Sequence, residues 1–140
     1  MAQIVQALAR GQELIEAAAK AREQAYAPYS HFRVGAAVLA KSGKVFTGCN
    51  VENLSYGLSV CAERAAIFAA AAAGERELAA VAVVTGGAPV FPCGACLQVI
   101  KEFAGDEPPI IIAANTDGAY QVKSLSECLP CPFTKFEADS

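Results

Sequence analysis

Two cysteine motifs constrain this chain more than any other feature: Cys61-Ala62-Glu63-Arg64 and Pro92-Cys93-Gly94-Ala95-Cys96. Each falls where a helix is expected to begin, and a β-branched run, Leu78 to Val84, lies between them. A chain that uses both together must bring two helix starts to one place. A helix start carries about half a positive charge and free N–H groups, so cysteines there ionise readily to the thiolate that a metal requires. Cys93 and Cys96, three residues apart, face the same side of their helix and can grip one ion, with Cys61 as the third ligand. The expected cofactor is one Zn2+ per chain. Three protein ligands leave one position open, which separates a catalytic zinc from a structural one, because water held there has its pKa lowered to about 7.

Three thiolates on one Zn2+ leave net negative charge, which opposes that acidification unless neighbouring groups offset it. Arg64 and the two helix N-termini are available to do so. Glu63 lies two residues beyond Cys61, and such positions do not face each other within a regular helix. Cys61 is therefore expected at the helix cap, from where the Glu63 carboxylate reaches the reacting water and shuttles its proton. Cys93-x-x-Cys96 alone fits a thioredoxin-like redox pair or half of a structural zinc site equally well. A redox pair has no use for Glu63 or Cys61, and the combination of the two motifs favours a deaminase-type zinc site.

Composition bounds the rest. With 140 residues, 54% of them hydrophobic, the chain is expected to form one domain over 1–140 with a sizeable core. A net charge of −3, with eleven Lys and Arg scattered along the sequence, provides no footprint for a polynucleotide. Glu13 and Glu16 near the start do not fit a secretory signal, and the alanine-rich run Ala65 to Ala73 is too short to span a bilayer. A cytoplasmic location without membrane or nucleic-acid partners is expected. In that setting six cysteines argue for metal or redox work over disulfides.

Leu14, Ile15, Ala18, Ala21 and Ala25 recur at helical spacing and predict a first helix that ends before Pro28. Val34 to Ala40, the turn Lys41-Ser42-Gly43-Lys44 and Val45-Phe46-Thr47 read as a hairpin. A helix over residues 60 to 73 stops at Gly74, and the strand Leu78 to Val84 follows. A further helix from Cys93 to about Phe103 precedes a buried strand at Ile110 to Ala113. Asp117-Gly118 then turns into an edge strand ending near Val122, and the polar end, Glu137 to Ser140, is expected to fray. Helices between strands place the chain in the α/β class with a mixed sheet.

From about Leu14 to Phe133 the sequence resembles the small homotetrameric type of cytidine deaminase. The matching stretches are residues 27–37 (Ala27-Pro28-Tyr29-Ser30-His31-Phe32-Arg33-Val34-Gly35-Ala36-Ala37) and 46–53 (Phe46-Thr47-Gly48-Cys49-Asn50-Val51-Glu52-Asn53). The two cysteine motifs and Leu129-Pro130 complete them. The resemblance implies a three-layer α/β/α fold around a five-stranded mixed sheet, and hydrolytic deamination of free cytidine and 2′-deoxycytidine. It further implies that Asn50 and Glu52 bind the ribose hydroxyls, that Phe32 and Ala62 contact the nucleoside, and that Glu63 is the proton shuttle. Phe133 corresponds to a C-terminal aromatic that reaches a neighbouring subunit's site in a homotetramer.

The residues themselves agree with part of this. Asn50 and Glu52, two apart on or just beyond a strand, point to one face, suited to gripping a polar sugar, with surface solvation as the alternative. Periodicity alone makes Phe32 and Tyr56 core aromatics, and His31 reads as a surface or interface residue. Mean hydropathy of +0.34 is consistent with self-association.

Two positions depart from the family pattern. Leu97 stands where the family carries Arg, which shifts charge balancing to Arg64 and the helix ends and predicts a weaker or more salt-sensitive assembly, or an altered substrate preference. Cys131-Pro132 is also unusual, and Cys49, Cys128 and Cys131 read as packing residues. The competing functions are deamination of another aminopyrimidine nucleoside or nucleoside antibiotic, a zinc or redox module, and deamination of RNA or DNA. The last needs a cationic groove that the acidic composition does not offer.

Overall fold

β1 (Val34–Ala40) and β3 (Leu78–Thr85) are buried along their whole length. Both consist of small and β-branched apolar residues, the composition of strands covered on two faces. β2 (Val45–Cys49) and β5 (Tyr120–Ser124) are partly exposed and form the edges, while β4 (Ile110–Asn115) lies inside. The sheet order is β2-β1-β3-β4-β5, with β3 and β4 parallel and the other pairs antiparallel. The structure, a computed structural model, describes residues 2–138.

Alternation along the strands sends side chains into two cores. Val34, Ala36, Val38, Val81, Val83 and Ile111 face one side, packing with Ala62, Ala66 and Ile67 of α3 (Ala62–Ala72). Leu97 and Ile100 of α4 (Gly94–Glu102) and Leu125 of α5 (Leu125–Cys128) join the same cluster. Ala37, Leu39, Ala80, Ala82, Ile110 and Ile112 face the other side, against Ala7 of α1 (Ala2–Ala9) and Leu14 and Ala18 of α2 (Gly11–Arg22). The period-2 pattern thus yields the expected three-layer α/β/α architecture on a five-stranded mixed sheet.

The elements depart from expectation in a few places. The first helix is two, broken at Arg10, whose guanidinium bonds Glu13 and the Gly43 carbonyl. It ends at Arg22, so Ala25 lies beyond it. Val60 belongs to a β-bridge with Val51, and the helix expected from residue 60 starts at Ala62. Tyr56 is 72% exposed and Phe32 48% exposed, so neither is a core aromatic. Cys49 and Cys128 are partly buried, as packing residues should be, but Cys131 is exposed and packs little. Leu97 is buried in the core beneath α4. His31 is exposed, as expected for a surface residue. Of the polar end, residues 139–140 lie outside the described residues.

Candidate active site

The helix starts are where the cysteines stand. Cys61 is the N-cap of α3 and Cys93 the N-cap of α4, both with extended backbone and with no side-chain hydrogen bond capping the helix. The N–H groups of each first turn are therefore not capped by these side chains, and their partial positive charge remains directed at the sulfurs. Cys96, one turn into α4, is fully buried. The three Sγ atoms lie within 4.8 Å of one another.

The electrostatics suit a divalent ion. The Cys61 thiol is pulled down to about 5 by the hydrogen bond it shares with Cys96 and by the Arg64 guanidinium, against the opposing effect of burial. Cys96 is pushed well up, because the proton in that pair stays with it. Arg64 Nη2 donates to Cys61 Sγ at 3.5 Å. Among the described residues, Arg64 Nε is a buried polar atom with no hydrogen-bond partner. A partly buried, incompletely paired cation beside three convergent thiols offsets the charge that soft thiolate ligands bring to Zn2+, so this donor set fits that ion.

Glu63 is the second residue of α3 and only 5% exposed. Burial raises its carboxyl to about 7, and the neighbouring Cys61 pushes in the same direction. Its side chain contributes to a cavity of about 580 Å³ that Cys61, Ala62 and Cys93 also line. The cavity opens where β3 ends at Thr85, beyond the carboxyl end of a parallel strand, the usual crevice of α/β sheets.

Asn50 and Glu52, just past the end of β2, line the same cavity together with Phe32. Asn50 is buried, its Oδ1 accepting from Val34 N at 2.9 Å and its Nδ2 donating to Phe32 O at 2.7 Å. Glu52 Oε1 accepts from the N–H groups of Tyr29 and Ser30 at 3.0 and 3.1 Å, and Oε2 accepts from the Ser30 hydroxyl. These donors hold its carboxyl below the usual range, the Ser30 hydroxyl contributing most. Surface solvation is thus the wrong description of both residues.

Phe133 does not join this cavity. Its backbone is clipped to α4, with Gln98 Nε2 donating to Phe133 O at 2.7 Å and Phe133 N donating to Gln98 Oε1 at 3.1 Å, while 65% of the residue is exposed. Several wall residues carry no motif of their own: Val60, Val83, Thr85, Val90 and Phe91. Val60 and Phe91 adjoin the cysteine motifs, preceding Cys61 and Pro92-Cys93. The others arrive through strand register and loop closure, for which the sequence gives no separate signal.

Residues 9–112 match the family described as the cytidine and deoxycytidylate deaminase zinc-binding region. The chain belongs to this family. Within it, the cytidine deaminase of Sporosarcina psychrophila is 48% identical over 126 residues, spanning 89% of this chain and 91% of that protein. The crystal structure of cytidine deaminase from Burkholderia pseudomallei superposes with a TM-score of 0.82 at 53% identity, covering 87% of this chain and 98% of that one. That of the Mycobacterium tuberculosis cytidine deaminase gives 0.76 at 41% identity, covering 89% and 98%. Zinc is the family's ion, and the Cys61, Cys93 and Cys96 cluster is where this deaminase fold would hold it.

Proposed function

We propose that the chain hydrolyses the exocyclic C–N bond of free cytidine and 2′-deoxycytidine, giving uridine and 2′-deoxyuridine with release of ammonia, a reaction of pyrimidine salvage. One observation carries the reading: three convergent thiols and a buried carboxyl stand at the same cavity as the polar pair Asn50 and Glu52 and the ring of Phe32.

Cys61, Cys93 and Cys96 would hold Zn2+, whose Lewis acidity makes water a competent nucleophile near neutral pH. Glu63 takes a proton from the attacking water as oxygen adds to C4 of the base, and passes it to N3. It then moves the proton of the new C4 hydroxyl to the amino group, whose bond to C4 breaks as ammonia leaves and the C4 carbonyl forms. Arg64 offsets the thiolate charge. Asn50 and Glu52 take the ribose hydroxyls, while Phe32 and Ala62 contact the nucleoside. The net charge of −3 favours a free nucleoside over a polynucleotide. A redox pair would leave the convergence of Cys61 and the burial of Glu63 without a purpose.

The active unit is a homotetramer of single domains, each spanning 1–140, in which Phe133 of one subunit reaches a neighbour's site. The exposure of Leu54, Tyr56, Leu58 and Phe133 supports a further apolar contact. A cytoplasmic location is supported by six free cysteines. No helix among the described residues is long and apolar enough to cross a membrane.

The test is an ultraviolet assay of cytidine turnover in Glu63→Ala. Turnover should fall by a factor of about 10² to 10⁴, with zinc retained at about one per chain, because Glu63 is not a ligand. A fully active variant would overturn the mechanism.

A further inference from the structure

The segment that carries Phe32 is held by the same side chains that face the sugar. Ser30 Oγ donates its proton to Glu52 Oε2 and accepts from Phe32 N at 3.0 Å. The Phe32 carbonyl, in turn, accepts from Asn50 Nδ2 at 2.7 Å. Phe32 is thus fixed at both ends of its backbone, by Ser30 on one side and Asn50 on the other. Between Ser30 and Phe32 stands His31 with φ of 58°, the left-handed region that a non-glycine residue occupies at some cost. His31 N donates to Ala27 O at 3.0 Å, which closes the turn. A tight turn of this kind persists only where its surroundings over-determine it; the Tyr29 and Ser30 N–H groups and the Ser30 hydroxyl all tie it to the Glu52 carboxylate, and only the hydroxyl also holds Phe32 N.

Building on the reading of Asn50, Glu52 and Phe32 as the nucleoside grip, we propose that Ser30 is a positioning residue for substrate binding, its hydroxyl fixing the Glu52 carboxylate and the Phe32 backbone relative to each other. A serine hydroxyl has one proton, and Ser30 gives it to Glu52. Ser30 therefore acts through Glu52 and Phe32 instead of donating to the nucleoside. Because hydrogen bonds to a charged group are the stronger ones, the loss is measurable even at a partly exposed site. The chemical step runs at Glu63, which Ser30 does not touch, so the effect falls on KM.

The experiment compares wild type, Ser30→Ala and Ser30→Thr on 2′-deoxycytidine and on 2′,3′-dideoxycytidine, which lacks the 3′ hydroxyl as well as the 2′. Ser30→Ala should raise KM about 10-fold with kcat within about twofold. Ser30→Thr keeps the hydroxyl and should restore most of the affinity. The rise should persist on the dideoxynucleoside, because Phe32 is displaced as well as Glu52. An unchanged KM in Ser30→Ala, or a loss that Ser30→Thr fails to restore, overturns the proposal. Amide exchange in the wild-type protein provides a measurement that needs no variant: Phe32 N–H should exchange more slowly than an unprotected amide. Exchange at the unprotected rate overturns the clasp as well. If wild-type protein turns over neither nucleoside, the deaminase reading itself has failed, a result separate from all of these.

Discussion

Glu63 and Glu52 show how two carboxyls in one site are set to opposite ends of their range. Glu63 is buried behind Cys61 and its carboxyl is raised, whereas Glu52 is met by two backbone N–H groups and the Ser30 hydroxyl and is lowered. The second case makes a prediction with a definite sign. A carboxyl whose folded pKa lies below its ordinary value of 4.5 stabilises the fold above that value, and the contribution disappears as pH falls through the folded pKa. The turn at Tyr29 and Ser30 should therefore loosen in acid before the sheet does. Exchange protection of the Tyr29 and Ser30 amides should fall as pH drops below the ordinary carboxyl value of 4.5 and through the lowered folded one, while amides of the central strands remain protected. In Glu52→Gln, which has no charge to lose, that pH dependence should be absent. Glu63 was legible as a catalytic candidate from its spacing to Cys61. The double duty of Asn50 and Glu52 was not, because their partners, residues 29 to 34, are brought to them by the hairpin.

At the scale of elements, the site depends on how closely α3 lies on the sheet. A Cβ added at Gly48 of β2 would come within 2.5 Å of Ala66 N and 2.8 Å of Ala62 O, both backbone atoms of α3. Only glycine permits this approach, and α3 is the helix that presents Cys61 and Glu63. Gly48→Ala must push α3 outward, with a stability cost of about 1–3 kcal/mol. Because the helix carries one sulfur of the cluster and Arg64, the displacement should also weaken zinc retention. Thermal unfolding and metal content after dialysis against a weak chelator measure the two effects, and an unchanged value for both would show that α3 is free to move. Helix identities were readable from the 3.6-residue period, and strand identities from short apolar runs bounded by turn residues. The break at Arg10 was not: one of the bonds that hold Arg10 runs to the carbonyl of Gly43, a residue of the distant hairpin.

For the whole molecule, the open question is what covers the exposed ring of Phe133. If it completes a neighbour's site, each site draws Glu63 and Phe133 from different chains. Phe133→Ala and Glu63→Ala proteins should then both be impaired, yet co-assembled mixtures should regain activity, because some sites combine the intact residue from each parent. Turnover of co-expressed variants, with subunit number from light scattering, checks this. No gain on mixing, in an assembly shown to contain both variants, would place Phe133 outside the site. The sequence by itself determined the chemistry and the class: cysteines with a nearby glutamate at two helix starts, alternating strands, and the layered fold that follows from local spacing. Only the tertiary structure decided the rest. It joined Cys61 to Cys93 and Cys96, turned Asn50 and Glu52 onto the Phe32 segment, and put Tyr56 on the surface and Leu97 in the core. Those outcomes depend on which elements pack together, and packing between residues far apart in the chain is not encoded in any local pattern.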